Sequence, residues 1–465
     1  MTERDKVQLK HGKHETKLPP IDRSRPLAAV LLGATALALS PLIVPETGDA
    51  ATLSTIATFN GANGAYPYGG LMVDSAGNLF GTTHGDIFNT KGSVFELAKG
   101  SGGYTLSTIA TFNGSNGAYP RAGLLADNVG NLFGSTSSGG PTDRGTLFEL
   151  AKSSGGYTLS TLAILDGSNG ISPYPVLIAD NAGNLFGTAN SFGAGGKGTV
   201  FELAKGSEGY TLSTIVAFNG TNGGYPVSGL TADSAGNLFG TTYSGGANDK
   251  GTVFKLVKGS EGYTLSTIAT FNGINGARPS GNVVADSVGN LFGTTYSGGA
   301  NNKGVVFELA KGSGGYTLST IATFNGSNGA APYAGLLADS AGNLFGTTYS
   351  GGSGGLGTVF ELVKGSEGYT LSTIATFDGT GTNGANPYAS LVADSAGNLF
   401  GVAVNAGAGG YGTVFQITGS GFVPYATQVP APAGLGLFGM GLLALGLARR
   451  YRAARQLAAA EFLED

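Results

Sequence analysis

The chain of 465 residues carries 84 glycines, no cysteine, no tryptophan and 12% charged residues, with a formal net charge of −4. That near-neutral balance argues against a nucleic-acid groove, which needs clustered Lys and Arg, and the missing cysteines exclude a disulfide framework. A hydrophobic content of 41% is enough for a sizeable core, so the glycine marks tight turns rather than disorder.

Residues 1–25 are polar, with Lys6, Lys10, Lys13, Lys17, Arg23 and Arg25. LAAVLLGATALAL (27–39) follows without a charge, and Gly48 and Ala50 place small residues before Ala51. Basic, then apolar, then small is the order of a secretory signal, so residues 1–50 read as a signal peptide cleaved before Ala51. A retained membrane anchor is the alternative, although an apolar run of this length rises only about 20 Å as a helix against a hydrocarbon core of roughly 30 Å.

A repeat array occupies 51–422. The motif GNLFG begins at Gly77, Gly130, Gly183, Gly236, Gly289, Gly342 and Gly397, with spacings of 53 residues five times and then 55. A fixed period of this size signals a solenoid, propeller or array. Each period holds four strand-like runs; in the fourth copy these are GLTADS (229–234), NLFGTTY (237–243), GTVFKLVKG (251–259) and GYTLSTIATF (262–271). The D-S-A-G step between the first two is turn chemistry: Asp bonds back to the backbone and Gly takes the left-handed position. The same Asp recurs at 74, 127, 180, 233, 286, 339 and 394, which fits a structural acid. Adjacent apolar residues in TVF and TLF ask for cover on both faces of the strand, and blades packed around an axis provide it.

The ends of the array favour closure. The first three strands occur seven times between Gly69 and Ile417, whereas the first copy of the fourth (52–59) precedes the first blade and none follows GTVFQI (412–417). The expectation is an all-β, seven-bladed β-propeller of four-stranded blades, its last blade completed by the N-terminal strand. GFVPYATQ (421–428) competes for that place, and its proline counts against it.

In an up-and-down blade, turns one and three lie on one face of the disc, and turn two and the inter-blade link on the other. Turns one and three barely change between copies; turn two and the link change most. After GTT stand His84, Ser137, Asn190, Tyr243, Tyr296, Tyr349 and Val404. Around the aligned link prolines (67, 120, 173, 226, 279, 332, 387), the preceding residues include Tyr66, Tyr119 and Tyr225. The following ones are Tyr68, Arg121, Tyr174, Val227, Ser280, Tyr333 and Tyr388. Variation on a fixed frame, rich in tyrosine, is how a scaffold presents a recognition surface. Tyr66, Tyr68, Tyr119, Arg121, Tyr225, Tyr243, Tyr296 and Tyr349 are the candidate ligand-binding residues; solvated loops free to drift are the plain alternative. An enzyme would need a non-repeated acid or base at the channel mouth, and His84, Asp86, Asp143 and Asp249 are available in turn two. His11 and His14 fall in the signal, which leaves no three-histidine metal site in the mature chain and no cofactor to expect.

After a linker (423–428), the segment VPAPAGLGLFGMGLLALGLARRYRAAR (429–455) is uncharged from Ala433 to Ala448 and then brings Arg449, Arg450, Arg452 and Arg455. From Val429 the apolar stretch reaches about 30 Å as a helix, enough to span, and the arginines hold the C-terminus (456–465) in the cytoplasm. Val429, Pro430 and Pro432, the glycine-leucine span and Arg449 and Arg450 resemble the PEP-CTERM sorting signal; Ala431 stands where such boxes usually carry glutamate. The resemblance implies an exosortase-type protease as partner, transient inner-membrane anchoring through 433–448 and a Gram-negative, exopolysaccharide-producing host. The repeats, through DSAGNLFGTT and KGTVFEL over 52–417, resemble the GloVer tandem-repeat family of surface proteins. That implies an exported, anchored product and no established activity. The functional expectation is therefore a binding or structural module at the cell surface or in the matrix, taking polysaccharide or a surface protein. An extracellular polysaccharide hydrolase or lyase using turn-two carboxylates, and a purely structural repeat protein, are the alternatives.

Overall fold

Each repeat is locked by its first turn. In the first copy, Asp74 Oδ1 accepts the N–H groups of Ala76 at 2.9 Å and Asn78 at 2.8 Å, while Oδ2 accepts from the Asn78 side chain at 2.9 Å. The Asn78 side-chain Oδ1 then accepts the Lys99 N–H at 2.9 Å, tying turn one to the strand on its far side. Asp233, Asn237 and Lys258 repeat the arrangement in the fourth copy. The recurring Asp and Asn are thus a frame that satisfies turn donors.

The computed structural model describes residues 50–425 except 86–89, 175 and 380–382. The segments read as a signal peptide and a sorting tail, with Val429, Pro430, Pro432, Arg449 and Arg450, lie outside the described residues. Among the described residues no helix is long and apolar enough to cross a membrane.

Seven antiparallel sheets follow one another. The fourth comprises Thr231–Ala232, Leu238–Thr242, Thr252–Gly259 and Gly262–Thr270, in that spatial order. Its innermost strand has two residues where the sequence suggested six. The residue just ahead of that run gives its carbonyl to a threonine hydroxyl of the preceding blade. Thr82 bonds the Ala122 carbonyl at 2.7 Å and Thr294 the Ala334 carbonyl at 2.8 Å. In blades five and seven the link ahead of the run also pairs with the second strand, as Ala277–Pro279 and Ala385–Pro387.

The second strand is buried throughout, as Leu238–Thr242 shows, and pairs Gly240 with Phe254. A Cβ at Gly240 would lie 2.5 Å from the Phe254 ring, so the glycine exists to let that ring cross the sheet. Apolar clusters fill the spaces between blades, seven clusters for seven blades. An open stack of seven would have six such interfaces. Edge-to-face phenylalanine pairs recur in them, such as Phe271–Phe307 at 5.1 Å and Phe59–Phe95 at 5.2 Å.

Closure follows from the same pairings. Thr52–Thr58 joins Thr413–Thr418 antiparallel, with Ser54 opposite Gln416, so the first strand completes the last blade. Phe59 next donates its N–H to the Gly412 carbonyl at 3.0 Å, as Phe271 does to Gly251. The fold is a closed seven-bladed β-propeller.

The competing run at the C-terminal end forms no strand over its described residues and has another task. In the other blades the third-turn tyrosine packs on the preceding blade's phenylalanine, as Tyr369 does on Phe292 at 5.9 Å. The borrowed N-terminal strand brings no such tyrosine. Phe422 fills the gap, 7% exposed and 5.2 Å from Phe345. The backbone beyond it is fixed on turn one of blade six, where Ser340 donates its N–H to the Val423 carbonyl at 3.0 Å.

Candidate functional site

The residue before each link proline adopts a left-handed backbone: Tyr66 (φ 56°), Tyr119 (58°), Ser172 (53°), Tyr225 (56°), Arg278 (58°), Ala331 (56°) and Asn386 (61°). Non-glycine residues take this conformation only where the surroundings enforce it. Here both polar groups are engaged across blades. Tyr225 donates its N–H to the Lys197 carbonyl of blade three at 2.7 Å, and its own carbonyl accepts from Tyr243 of blade four at 3.1 Å. Tyr66 reaches back to Tyr411 in the same way, across the closure, at 2.8 Å. This position is a backbone rivet between blades, and its side chain is free to vary.

The residue after the proline points to the axis. Tyr68 of blade one meets Tyr388 of blade seven edge-on at 5.0 Å, and Tyr388 stacks on Tyr333 of blade six at 4.4 Å. The Arg121 guanidinium of blade two lies 5.2 Å from the ring of Tyr68 and 5.2 Å from that of Tyr174 of blade three. Equivalent positions on five blades therefore touch, which in a closed ring happens only around its centre. Turn-two side chains pack against this cluster: Tyr296 on Tyr333 at 5.6 Å, Tyr349 on Tyr388 at 6.2 Å, and His84 on Tyr68 at 5.4 Å.

Electrostatically the cluster is neutral apart from one cation. Burial pushes the phenols of Tyr68, Tyr333 and Tyr388 above their ordinary range, Tyr388 furthest, and Tyr333 and Tyr388 share a hydrogen bond. His84 is 8% exposed. Burial first, and the Arg121 charge second, bring it down to about 4, so it is neutral at physiological pH. Its Nδ1 lies 3.2 Å from the Gly85 carbonyl and its ring stacks on Tyr119 at 4.9 Å. The Arg121 Nε is buried without a hydrogen-bond partner.

Of the residues expected to form a surface, Tyr68, Arg121, Tyr296 and Tyr349 join the axial cluster. Tyr119 flanks it through His84 and takes a 2.8 Å hydrogen bond from Lys91. Tyr66 and Tyr225 sit at blade junctions, against Tyr411 at 5.6 Å and bonded by Lys197 at 3.0 Å. Tyr243 lies under the Arg278 guanidinium at 5.6 Å. Tyr174, Tyr333 and Tyr388 were absent from the expected set and are central to the cluster; their place directly after the proline was the available signal. The turn-two acids have backbone duties. Asp143 Oδ1 accepts the Gly139 N–H at 2.9 Å and Asp249 Oδ1 that of Gly245 at 2.8 Å, a task Asn302 performs in blade five at 3.0 Å. Asp86 lies outside the described residues. Among the described residues, no three His, Asp or Glu side chains gather as a metal site.

Fold and site together define a seven-bladed propeller with a cluster of tyrosines and one arginine at its axis. The chain belongs to the Gloeobacter/Verrucomicrobia repeat family, whose model matches residues 42–161, 89–265, 153–319 and 260–427. A comparison with curated proteins gives no match. Among solved structures it is similar to the extracellular domain of a one-component system of B. thetaiotaomicron, with 14% identity and a TM-score of 0.50 over 81% of this chain and 43% of that one. It is also similar to a Bacteroides uniformis protein assigned as a 6-phosphogluconolactonase, with 14% identity and a TM-score of 0.45 over 68% and 86% of the two chains. At such identities the likeness is one of fold.

Proposed function

We propose that the protein is an exported, surface- or matrix-anchored binding module that takes polysaccharide, or a surface protein, at the axial mouth of its propeller. The observation that carries this reading is the convergence of post-proline side chains from five blades at the position where the repeats differ most. Tyrosines held edge-on and stacked offer ring faces to sugars and hydroxyls to their oxygens, at little conformational cost. The basic-apolar-small N-terminus and the resemblance of the tail to an exosortase substrate support export and anchoring. The last described residues leave the disc along turn one, where the Ser340 hydroxyl bonds the Pro424 carbonyl at 3.2 Å. An anchor attached there leaves the turn-two face pointing outward. Against a hydrolase, the described turn-two acids are spent on turn donors and Asn302 replaces them.

The test is a glycan array probed with the full chain in detergent, together with a Tyr333→Ala/Tyr388→Ala variant checked for unchanged melting. Binding that the double variant loses is the expected result. Binding unaffected by it would refute the axial site, no binding to any glycan or surface protein would favour a purely structural role, and turnover of a glycan would favour the enzyme.

A further inference from the structure

The seven post-proline positions are equivalent by repeat, yet only one bears a charge. Around the ring they read Tyr68, Arg121, Tyr174, Val227, Ser280, Tyr333 and Tyr388. The Arg121 guanidinium carbon lies 5.2 Å from the ring centroids of both Tyr68 and Tyr174, within reach of cation–π attraction to each. Among the described residues it makes no hydrogen bond and no ion pair; their one salt bridge joins Lys99 to Asp394, at 3.7 Å. The titratable groups facing it are the phenols of Tyr68, Tyr174, Tyr333 and Tyr388 and the neutral His84 imidazole. A guanidinium whose Nε is buried and unpartnered, with no carboxylate beside it among the described residues, is an unfavourable arrangement by itself. Ring faces offset only part of that cost. A planar anion would meet both the charge and the fork of donors, and Arg recognises carboxylates in a bidentate manner.

We propose that Arg121 is the anion receptor of the axial site and that the ligand is an acidic polysaccharide, bound through the carboxylate of a uronic acid-type sugar. This rests on the recognition reading above. The sugar ring stacks on the tyrosine faces beside Arg121, with its carboxylate on the guanidinium. His84 stays neutral in the free protein, and the bound carboxylate makes its protonation easier.

The experiment is titration calorimetry of the full chain with oligogalacturonate and with the same oligosaccharide after reduction of its carboxyl groups. The acidic form binds, more tightly at low salt than at high salt, and the reduced form binds roughly 10- to 100-fold more weakly. Arg121→Gln removes that difference while its melting temperature and weak binding of the reduced sugar persist; Arg121→Lys restores only part of it. Saturation with the acidic form raises the His84 titration midpoint. Equal binding of both forms, unchanged in Arg121→Gln, overturns the carboxylate assignment and leaves the tyrosine site intact. A polyglutamate peptide that binds as tightly as the acidic sugar overturns the choice of polysaccharide. No binding of oligogalacturonate overturns the proposal, and a neutral glycan still lost in Tyr333→Ala/Tyr388→Ala then separates this failure from failure of the recognition reading.

Discussion

His84 reports on the axial cluster more directly than any other residue, because it is the one histidine among the described residues. Its imidazole is brought from the ordinary 6.5 to about 4, by burial and then by Arg121. The perturbation is a fall in pH from 7 to 4. With the folded value below the unfolded one, the unfolded chain takes up the proton first. The stabilising contribution is complete above about pH 6.5 and is lost as the pH falls toward 4. A shift of this size corresponds to ~3 kcal/mol between pH 7 and 4 at about 1.4 kcal/mol per unit, an upper figure where solvent reaches part of the ring. Carboxylates titrate in the same window, so the measurement is the difference between wild type and His84→Asn in urea denaturation at each pH, alongside the imidazole NMR titration. The account expects a midpoint near 4, a wild-type advantage that fades by about 2–3 kcal/mol on acidification, and an upward move of the midpoint in Arg121→Gln. A midpoint near 6.5 in the folded protein would refute both the burial of His84 and its proximity to Arg121.

Gly240→Ala forces a Cβ to within 2.5 Å of the Phe254 ring; it should cost about 1–3 kcal/mol in urea denaturation, with a smaller effect in a Phe254→Leu background. Phe422→Ala empties a slot against Phe345 in which the ring is 7% exposed and should cost about 3 kcal/mol. Asp249→Asn should change stability by less than ~0.5 kcal/mol, because Asn302 already makes the equivalent turn contact.

Much of the frame was legible because the repeat writes it seven times. The GNLFG period counted the blades, and the displaced first copy of TLSTIATF revealed that the N-terminal strand completes blade seven. Turn chemistry gave Asp233 and Gly236 their roles directly. Three features were not legible. The inner strand is only two residues long, and the residue ahead of its run gives its carbonyl to a threonine of a neighbouring blade, a contact with no local signature. The residue before the proline bears its left-handed strain through cross-blade backbone bonds, so tyrosine, serine, alanine or asparagine all serve and none announces it. Phe422 follows from what the borrowed strand lacks, and an absence is hard to see in a pattern. At the site, variability located the correct loops, but proline neighbours on either side looked equivalent. Only the ring geometry sends Tyr68, Tyr333 and Tyr388 inward and leaves Tyr66 and Tyr225 at the junctions.

The axial site exists only if residues at the two ends of the array share one sheet. The chain has no cysteine, so Ser54→Cys with Gln416→Cys, partners in the closing ladder, adds a clean pair. Mild oxidation should give an intramolecular disulfide in nearly all molecules, seen by mass after proteolysis, without loss of folded structure. Free thiols, or crosslinks only between molecules, would contradict closure and remove the axis on which the recognition site depends.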